Sequence, residues 1–166
     1  PIEIVEEKPE PTTLKVKDFM IADVISIKPD STIKELLNLL TKHHISGVPV
    51  VDDQNKIVGM ASDGDIIRYL NPKEGSVHDF IYDIFIEEGE TEQEVLKEKI
   101  DTTVDNLMHK EPIYTVKEDD TFEKAIHILS QHHFKQLPVL NTEGKVTGII
   151  TRGDINNNLI KILSQK

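Results

Sequence analysis

The chain has 166 residues, a net charge of −11 and no Cys. Without Cys it has no disulfide, zinc ribbon or thiolate nucleophile, a composition compatible with the reducing cytoplasm, where we expect it. A chain this acidic repels nucleic acids and anionic lipids, and no apolar run of the sequence approaches a membrane span, so neither nucleic acid nor a membrane is an expected partner.

Residues 1–13 have the charged, Pro-rich composition of a tail or linker, and regular patterns begin after them. Between 14 and 70 the apolar residues predict an extended run, a helix, a hairpin of two strands and a second helix. Polar residues at Ser31–Thr32 and at Ser62 mark the helix starts, as is usual for N-caps. These elements are predicted at 24–28, from 31, at 48–51, at 57–60 and from 62.

Residues 71–101 have a different pattern, and two short helices are predicted there. The first is indicated by four apolar residues at helical spacing and the second by three more after a polar start at Thr91. The acidic run at 87–94 is interpreted as a solvated helix start rather than as a metal site. The apolar residues are Val77, Ile81, Ile84 and Phe85 in the first predicted helix, and Val95, Leu96 and Ile100 in the second.

An internal repeat organises the rest of the chain. Gly47-Val-Pro-Val-Val returns as Gln136-Leu-Pro-Val-Leu, with an offset of 89 residues between Pro49 and Pro138. The repeat defines two units, 14–70 and 102–166, each too small to be stable alone. We predict an α+β or α/β fold in which two pseudo-symmetric β-α-β-β-α units pack through their small sheets, with clefts where they meet. The same offset relates His43-His44 to His132-His133, Gly59 to Gly148, Ser62 to Thr151, and Asp65 to Asp154.

Simple structural roles explain several repeated residues. In Ser62-Asp-Gly-Asp and in Thr151-Arg-Gly-Asp, the hydroxyl and the final acid match a helix capping box. The paired histidines are neighbours about 100° apart on a helix, so they suit a helix C-terminus better than chelation of one metal ion. No metal site is predicted. The sequence also lacks the nucleophile elbow, the zinc-protease motif and the P-loop, and no enzyme activity is expected.

The order of these features resembles the CBS domain, the small module named from cystathionine β-synthase. That order is hydrophobic-x-Pro-Val, a turn, and then Gly-hydrophobic-hydrophobic-Ser/Thr-x-x-Asp, and it occurs twice, over roughly 16–70 and 103–163. The resemblance implies a tandem pair whose clefts bind adenosine-containing ligands. It also implies a homodimer formed through the helices of the units.

The resemblance further implies roles for individual residues. Asp65 and Asp154 would accept hydrogen bonds from ribose hydroxyls, and Ser62 and Thr151 would lie near phosphates at helix N-termini. Adenine would rest against the start of each unit. The residues implied there are Val24 and Ile25 in the first unit and Ile113 and Tyr114 in the second, with Gly47, Val48, Pro49, Leu137 and Pro138 on the neighbouring strands.

Two cations distinguish the units in this comparison. Lys135 and Arg152 of the second unit stand where the first has Ser46 and Asp63. The cleft of Thr151 and Asp154 is therefore expected to bind the phosphates of AMP, ADP or ATP, with His133 pointing toward it near Lys135. The first-unit cleft is expected to be weak, empty, or suited to adenosine or a cationic ligand.

The function expected from the sequence is that of a non-catalytic regulatory module that senses an adenine nucleotide, with no other cofactor. Two alternatives stay open. One is a ligand-free dimerisation or interaction module in which both Ser/Thr-x-x-Asp loops only cap helices; the other is a sensor of S-adenosylmethionine or a cyclic dinucleotide. An effector protein or a fused domain would receive the signal.

Overall fold

The structure is a computed structural model that describes residues 14–71, 92–131 and 135–164. The first unit contains helix α1 (Ile33–His43), strands β1 (Gly47–Val51) and β2 (Ile57–Ser62), and helix α2 (Asp63–Leu70). Helix α3 (Glu92–Ile100) follows. The second unit contains strand β3 (Val116–Lys117), helix α4 (Phe122–Gln131), strands β4 (Gln136–Leu140) and β5 (Val146–Thr151), and helix α5 (Arg152–Ser164). Short 3-10 turns occur at Val16–Asp18 and Val104–Asn106.

Each unit is built around an antiparallel hairpin, as predicted. Strands β1 and β2 pair from Gly47 with Ser62 onward, and strands β4 and β5 pair from Gln136 with Thr151 onward. Both ladders shift register at the same repeat position, after Val50 and after Val139. The repeat in the sequence is therefore a repeat in hydrogen bonding, and the predicted α+β fold is confirmed.

The first strand of each unit is much shorter than predicted. In the first unit only Ile27 pairs, in parallel with Val50, and in the second β3 has two residues parallel to β4. The reason is that the chain just before each of these strands is still paired with the other unit. Ile21 pairs with Ile149 of the second unit, and His109 pairs with Met60 of the first. The residues between these bridges are used in crossing from one sheet to the other.

The prediction for 71–101 is confirmed in its second half, where α3 runs from Glu92 to Ile100. The first helix predicted there, with Val77, Ile81, Ile84 and Phe85, lies outside the described residues. Within the described ranges, every helix is too short or too polar to cross a bilayer.

The hydrophobic cores exchange segments between the units. Val16, at the start of the first unit, is fully buried in the second core beside Phe122, while Val104 is fully buried in the first core beside Ile33. Phe19 also packs edge-on against Phe122, with ring centroids 4.8 Å apart. Each unit thus completes its core with a segment that precedes the other unit's strands and helices.

Backbone hydrogen bonds fix these exchanged segments. The Val16 N–H donates to the Asp120 carbonyl at 2.8 Å, and the Val104 N–H donates to the Ser31 carbonyl at 2.8 Å. The two hairpin turns also meet, because Asn55 and Val146 exchange backbone and side-chain hydrogen bonds. The units are consequently held together at the turns, in the cores and along the sheet edges.

Candidate functional site

A cleft of about 400 Å³ lies between the two units, within the size range of small-molecule sites. Its walls come from the β2–α2 loop, from the segment before β3, and from the starts of β1 and β4. The described residues that line it are Ser46, Gly47, Met60, Ala61, Ser62, Asp63, Gly64, Asp65, Arg68, His109, Pro112, Ile113, Tyr114, Lys135, Gln136 and Pro138.

The first wall is the N-terminus of α2, which has the predicted capping box. The Asp65 N–H donates to Ser62 Oγ at 3.2 Å, while Asp65 Oδ2 accepts from the Ser62 N–H and from the Ser62 hydroxyl, each at 2.9 Å. This arrangement satisfies free backbone donors and fixes the carboxylate at the mouth of the helix. The helix dipole makes the same place favourable for an anion.

The other carboxylate oxygen of Asp65 holds an arginine. Arg68 Nη2 lies 2.6 Å from Asp65 Oδ1, and the Arg68 side chain is 72% exposed, whereas that of Asp65 is 15% exposed. The guanidinium lies over Gly64, where a Cβ would stand 3.3 Å from Arg68 Nη1. Arg68 is therefore an exposed cation paired with a carboxylate that the capping box holds in place.

The opposite wall comes from the second unit and is mostly apolar. Ile113 and Tyr114 are partly buried, and Tyr114 packs against the second core. His109 is positioned by backbone bonds with Met60, at 2.8 and 2.9 Å, and its Nε2 lies 3.0 Å from the Pro112 carbonyl. The wall offers an aromatic ring and backbone groups to a flat ligand.

The starts of β1 and β4 form the floor of the cleft. A Cβ on Gly47 would lie 2.7 Å from Gln136 Nε2, at the movable end of a side chain, and 3.1 Å from the Ala61 carbonyl oxygen, so a larger residue requires both neighbours to shift. Lys135 is exposed at the edge of the floor. Its carbonyl accepts a hydrogen bond from the Arg152 N–H at 3.4 Å. Lys135 therefore stands between the first-unit cleft and the second-unit loop.

The second-unit loop has the same capping box. Asp154 Oδ2 accepts from the Thr151 N–H at 3.0 Å and from the Thr151 hydroxyl at 2.7 Å, and the Asp154 N–H donates to Thr151 Oγ1 at 3.1 Å. The described lining of the cleft of Asp65 does not include Thr151, Arg152 or Asp154.

The cleft thus brings together some of the predicted ligand-binding residues and leaves others outside. Ser62, Asp65, Gly47, Ile113, Tyr114, Lys135 and Pro138 line it, whereas its described lining lacks Val24, Ile25, Val48, Pro49 and Leu137. Val48, Pro49 and Leu137 are fully buried. His133 lies outside the described residues.

The distribution of charge differs from the prediction. The sequence predicts Lys135 with Arg152 at the cleft of Asp154, whereas the structure has Lys135 in the lining of the cleft of Asp65, where Arg68 is a second cation. The first cleft therefore holds two cations beside the carboxylates of Asp63 and Asp65. The repeat register overlooks Arg68, because the second unit has Asn157 at that position.

The wall residues His109, Met60 and Gln136 were also absent from the predicted site. Their part in the cleft depends on the crossing of the chain between sheets, for which the sequence has no local signal. Among the described residues no group of three His, Asp or Glu side chains is placed to hold a metal ion.

Two interlocked α+β units with a ligand-sized cleft between them define a tandem-repeat module. Residues 16–72 and 104–161 match the model of the CBS domain, and the chain belongs to that family. The resemblance noted in the sequence is thereby confirmed.

Relatives cover this chain to different extents. It is 34% identical over 164 residues to the methylated protein MJ0556 of Methanocaldococcus jannaschii. That match spans 90% of this chain and 78% of MJ0556. It is 30% identical over 141 residues to an inosine-5'-monophosphate dehydrogenase of Aquifex aeolicus. That match spans 85% of this chain and only 24% of the dehydrogenase.

Solved structures share the fold. The CBS-pair protein CBSX2 of Arabidopsis thaliana, in a complex with AMP, superposes with a TM-score of 0.69 at 28% identity, over 90% of this chain and 98% of that one. The CBS pair of MJ0100 in complex with 5'-methylthioadenosine and S-adenosyl-L-methionine has a TM-score of 0.67 at 22% identity, over 90% and 98% of the two chains. The latter similarity shows the fold alone.

Proposed function

We propose that this chain is a non-catalytic regulatory module that binds an adenosine nucleotide in the cleft between its two units. The observation that carries the proposal is the composition of that cleft, in which the capped N-terminus of α2 faces Ile113 and Tyr114 across about 400 Å³. The polar and apolar walls match the two ends of a nucleotide. The AMP complex of the relative CBSX2 supports the same class of ligand.

Each part of a nucleotide has a matching group in the cleft. The positive end of the α2 dipole, with the side chains of Arg68 and Lys135, suits a phosphate. Asp65 is the acceptor for ribose hydroxyls, and the Tyr114 ring with Ile113 suits the face of adenine. The net charge of −11 is no obstacle, because the cations are local to the cleft.

Occupancy of the cleft has a direct route to the rest of the chain. Met60 and His109 line the cleft and are joined by two backbone hydrogen bonds. His109 follows the segment that places Val104 in the first core, and that segment follows α3 directly. A ligand that favours one spacing of these walls therefore shifts the position of α3, which is how a partner or a fused domain would sense it.

The proposal is tested by calorimetry and thermal unfolding with AMP, ADP and ATP. A ligand at about 100 times its Kd should stabilise the fold by about 2.7 kcal/mol. Asp65→Asn keeps an acceptor for the Ser62 N–H but removes the charge, so it should weaken AMP binding about tenfold. Asp154→Ala tests whether the carboxylate of the second loop contributes to AMP binding. Asp53→Ala, at a fully exposed carboxylate paired with Lys28, is the matched control.

Absence of any adenosine ligand effect on unfolding would contradict the proposal. Retention of full AMP affinity by both Asp65→Asn and Asp154→Ala would contradict the ribose role. Stronger binding of S-adenosylmethionine than of AMP would favour the alternative in which Asp63 and Asp65 receive a cationic ligand, since both carboxylates line the cleft.

A dimer formed through the helices is favoured by a separate observation. Ile160 and Leu163 on α5 are 64% and 70% exposed, and Ile67 on α2 is 68% exposed. Apolar side chains so exposed on the helices are typical of an association surface. Sedimentation of Ile160→Glu beside the unchanged chain tests this: the dimer should dissociate, and an unchanged monomer in both cases would contradict it.

A further inference from the structure

The ion pair between Arg68 and Asp65 lies inside the cleft, and the following inference rests on the function proposed above. Asp65 Oδ2 already accepts two hydrogen bonds from Ser62, and Oδ1 accepts the Arg68 guanidinium at 2.6 Å. A carboxylate offers about four lone-pair sites, two on each oxygen. One site is left on Oδ1 while Arg68 is in place, too few for two ribose hydroxyls.

The two partners of this ion pair differ in exposure and in the hydrogen bonds that hold them. The Asp65 carboxylate is fixed by the capping box and is 15% exposed, whereas the Arg68 side chain is 72% exposed on the surface of α2. The guanidinium also lies close to Gly64, where a Cβ would approach Arg68 Nη1 to 3.3 Å. Movement away from Asp65 therefore falls to Arg68.

The second unit has no ion pair at the position of Arg68, because an asparagine stands there. Asp154 has the same three bonds with Thr151, yet the residue at the position of Arg68 is Asn157. The side-chain amide of the next residue, Asn158, donates to the Asp154 backbone carbonyl at 2.8 Å. An amide carries no charge to exchange between a carboxylate and a phosphate. An arginine three residues after the loop carboxylate is thus present in the first unit, where the second unit has Asn157.

We infer that Arg68 makes the first cleft selective for phosphorylated adenosine ligands over adenosine itself. Without phosphate the guanidinium occupies Asp65 Oδ1 and competes with the ribose. A phosphate attracts the guanidinium, and its departure frees Oδ1 for a second ribose hydroxyl. Adenosine must displace the arginine with no compensating contact, whereas AMP supplies one.

The test is an NMR titration of the isotope-labelled chain with AMP and with adenosine. The Gly64 amide reports the first cleft and the Gly153 amide the second loop. Arg68→Asn, which copies the second unit, should weaken AMP binding at Gly64 about tenfold. It should strengthen adenosine binding about two- to fivefold, the gain expected from removing an exposed ion pair. Lys34→Asn, an equal charge change on the exposed face of α1 outside the described lining, is the control and should alter neither.

If Arg68 moves from Asp65 to the phosphate, Arg68→Asn weakens the binding of AMP and strengthens the binding of adenosine. Weaker binding of both would mean that Arg68 only supports α2, and weaker AMP binding with unchanged adenosine binding would make it a simple phosphate contact; either result overturns the inference. If the unchanged chain binds both ligands at Gly64 and Arg68→Asn alters neither, the inference fails while the proposed function stands. If neither ligand moves Gly64 in the unchanged chain, the proposed function fails at this cleft.

Discussion

Val104→Ala tests the exchange of core segments. Val104 precedes the strands and helices of the second unit in sequence, yet it is fully buried in the core of the first, beside Ile33 and Leu36. The substitution removes about two methylene equivalents, worth about 0.8 kcal/mol each, and leaves a cavity. We expect a loss of about 2–3 kcal/mol in unfolding free energy, or about 5–10 °C in Tm.

Urea unfolding followed by circular dichroism measures the total loss, and hydrogen exchange shows where it falls. Amides of β1 should lose at least as much protection as amides of β4. The control is Val24→Ala, the same chemical change at a partly exposed position, which should cost less than about 1 kcal/mol. A cost for Val104→Ala no larger than for Val24→Ala, or a loss confined to β4, would refute the exchanged packing.

Three further predictions concern the cleft and the start of α4. Gly47→Ala should cost about 1–2 kcal/mol in thermal unfolding, because its Cβ would lie 3.1 Å from the Ala61 backbone carbonyl oxygen and would displace the Gln136 amide, whose Nε2 is 2.7 Å away. Lys135→Ala should weaken AMP binding about fivefold and reduce its salt dependence in calorimetry, with little change for adenosine. Asp120→Asn should cost about 1 kcal/mol at pH 7 and reduce the loss of stability in acid. Partial burial raises the pKa of Asp120, but the Lys117 N–H bond and the Lys124 ammonium outweigh it, so this pKa lies below its ordinary value.

The sign of the acid effect follows from that lowered pKa. The Asp120 carboxylate contributes stability above the ordinary pKa near 3.8, and the contribution is lost as the pH falls through the lower native pKa. Parallel stability curves for Asp120→Asn and the unchanged chain between pH 7 and pH 2 would contradict this assignment. For Gly47→Ala, addition of Gln136→Ala should recover part of the loss; no recovery would point to the Ala61 carbonyl instead. Equal weakening of AMP and adenosine by Lys135→Ala would argue against a phosphate contact.

Local patterns in the sequence predicted the regular elements well. Thr32 begins α1 with a capping box to Glu35, and Ser62 and Thr151 do the same for the last helix of each unit. These features depend on residues three or four positions apart, which the sequence displays directly. The hairpins follow for the same reason, since their strands are separated by short turns.

Features formed between distant segments were not predictable in this way. Val16 and Val104 lie in 3-10 turns outside any long apolar pattern, so nothing local indicates which core receives them. The short first strands have the same origin, because Ile21 and His109 pair with the opposite unit. Arg68 was not predicted as a site residue because the repeat identifies residues that the two units share, and the second unit has Asn157 at the position of Arg68.

The exchanged segments bear on what happens when the chain is divided. A cut anywhere between Asn71 and Glu92 yields two fragments. The N-terminal fragment carries Val16, which is buried in the core of the second unit, and the C-terminal fragment carries Val104, which is buried in the core of the first. Neither fragment can fill its own interior, but each holds what the other needs. The two fragments should therefore associate and fold together when they are mixed. A single unit produced alone would lack part of its hydrophobic core.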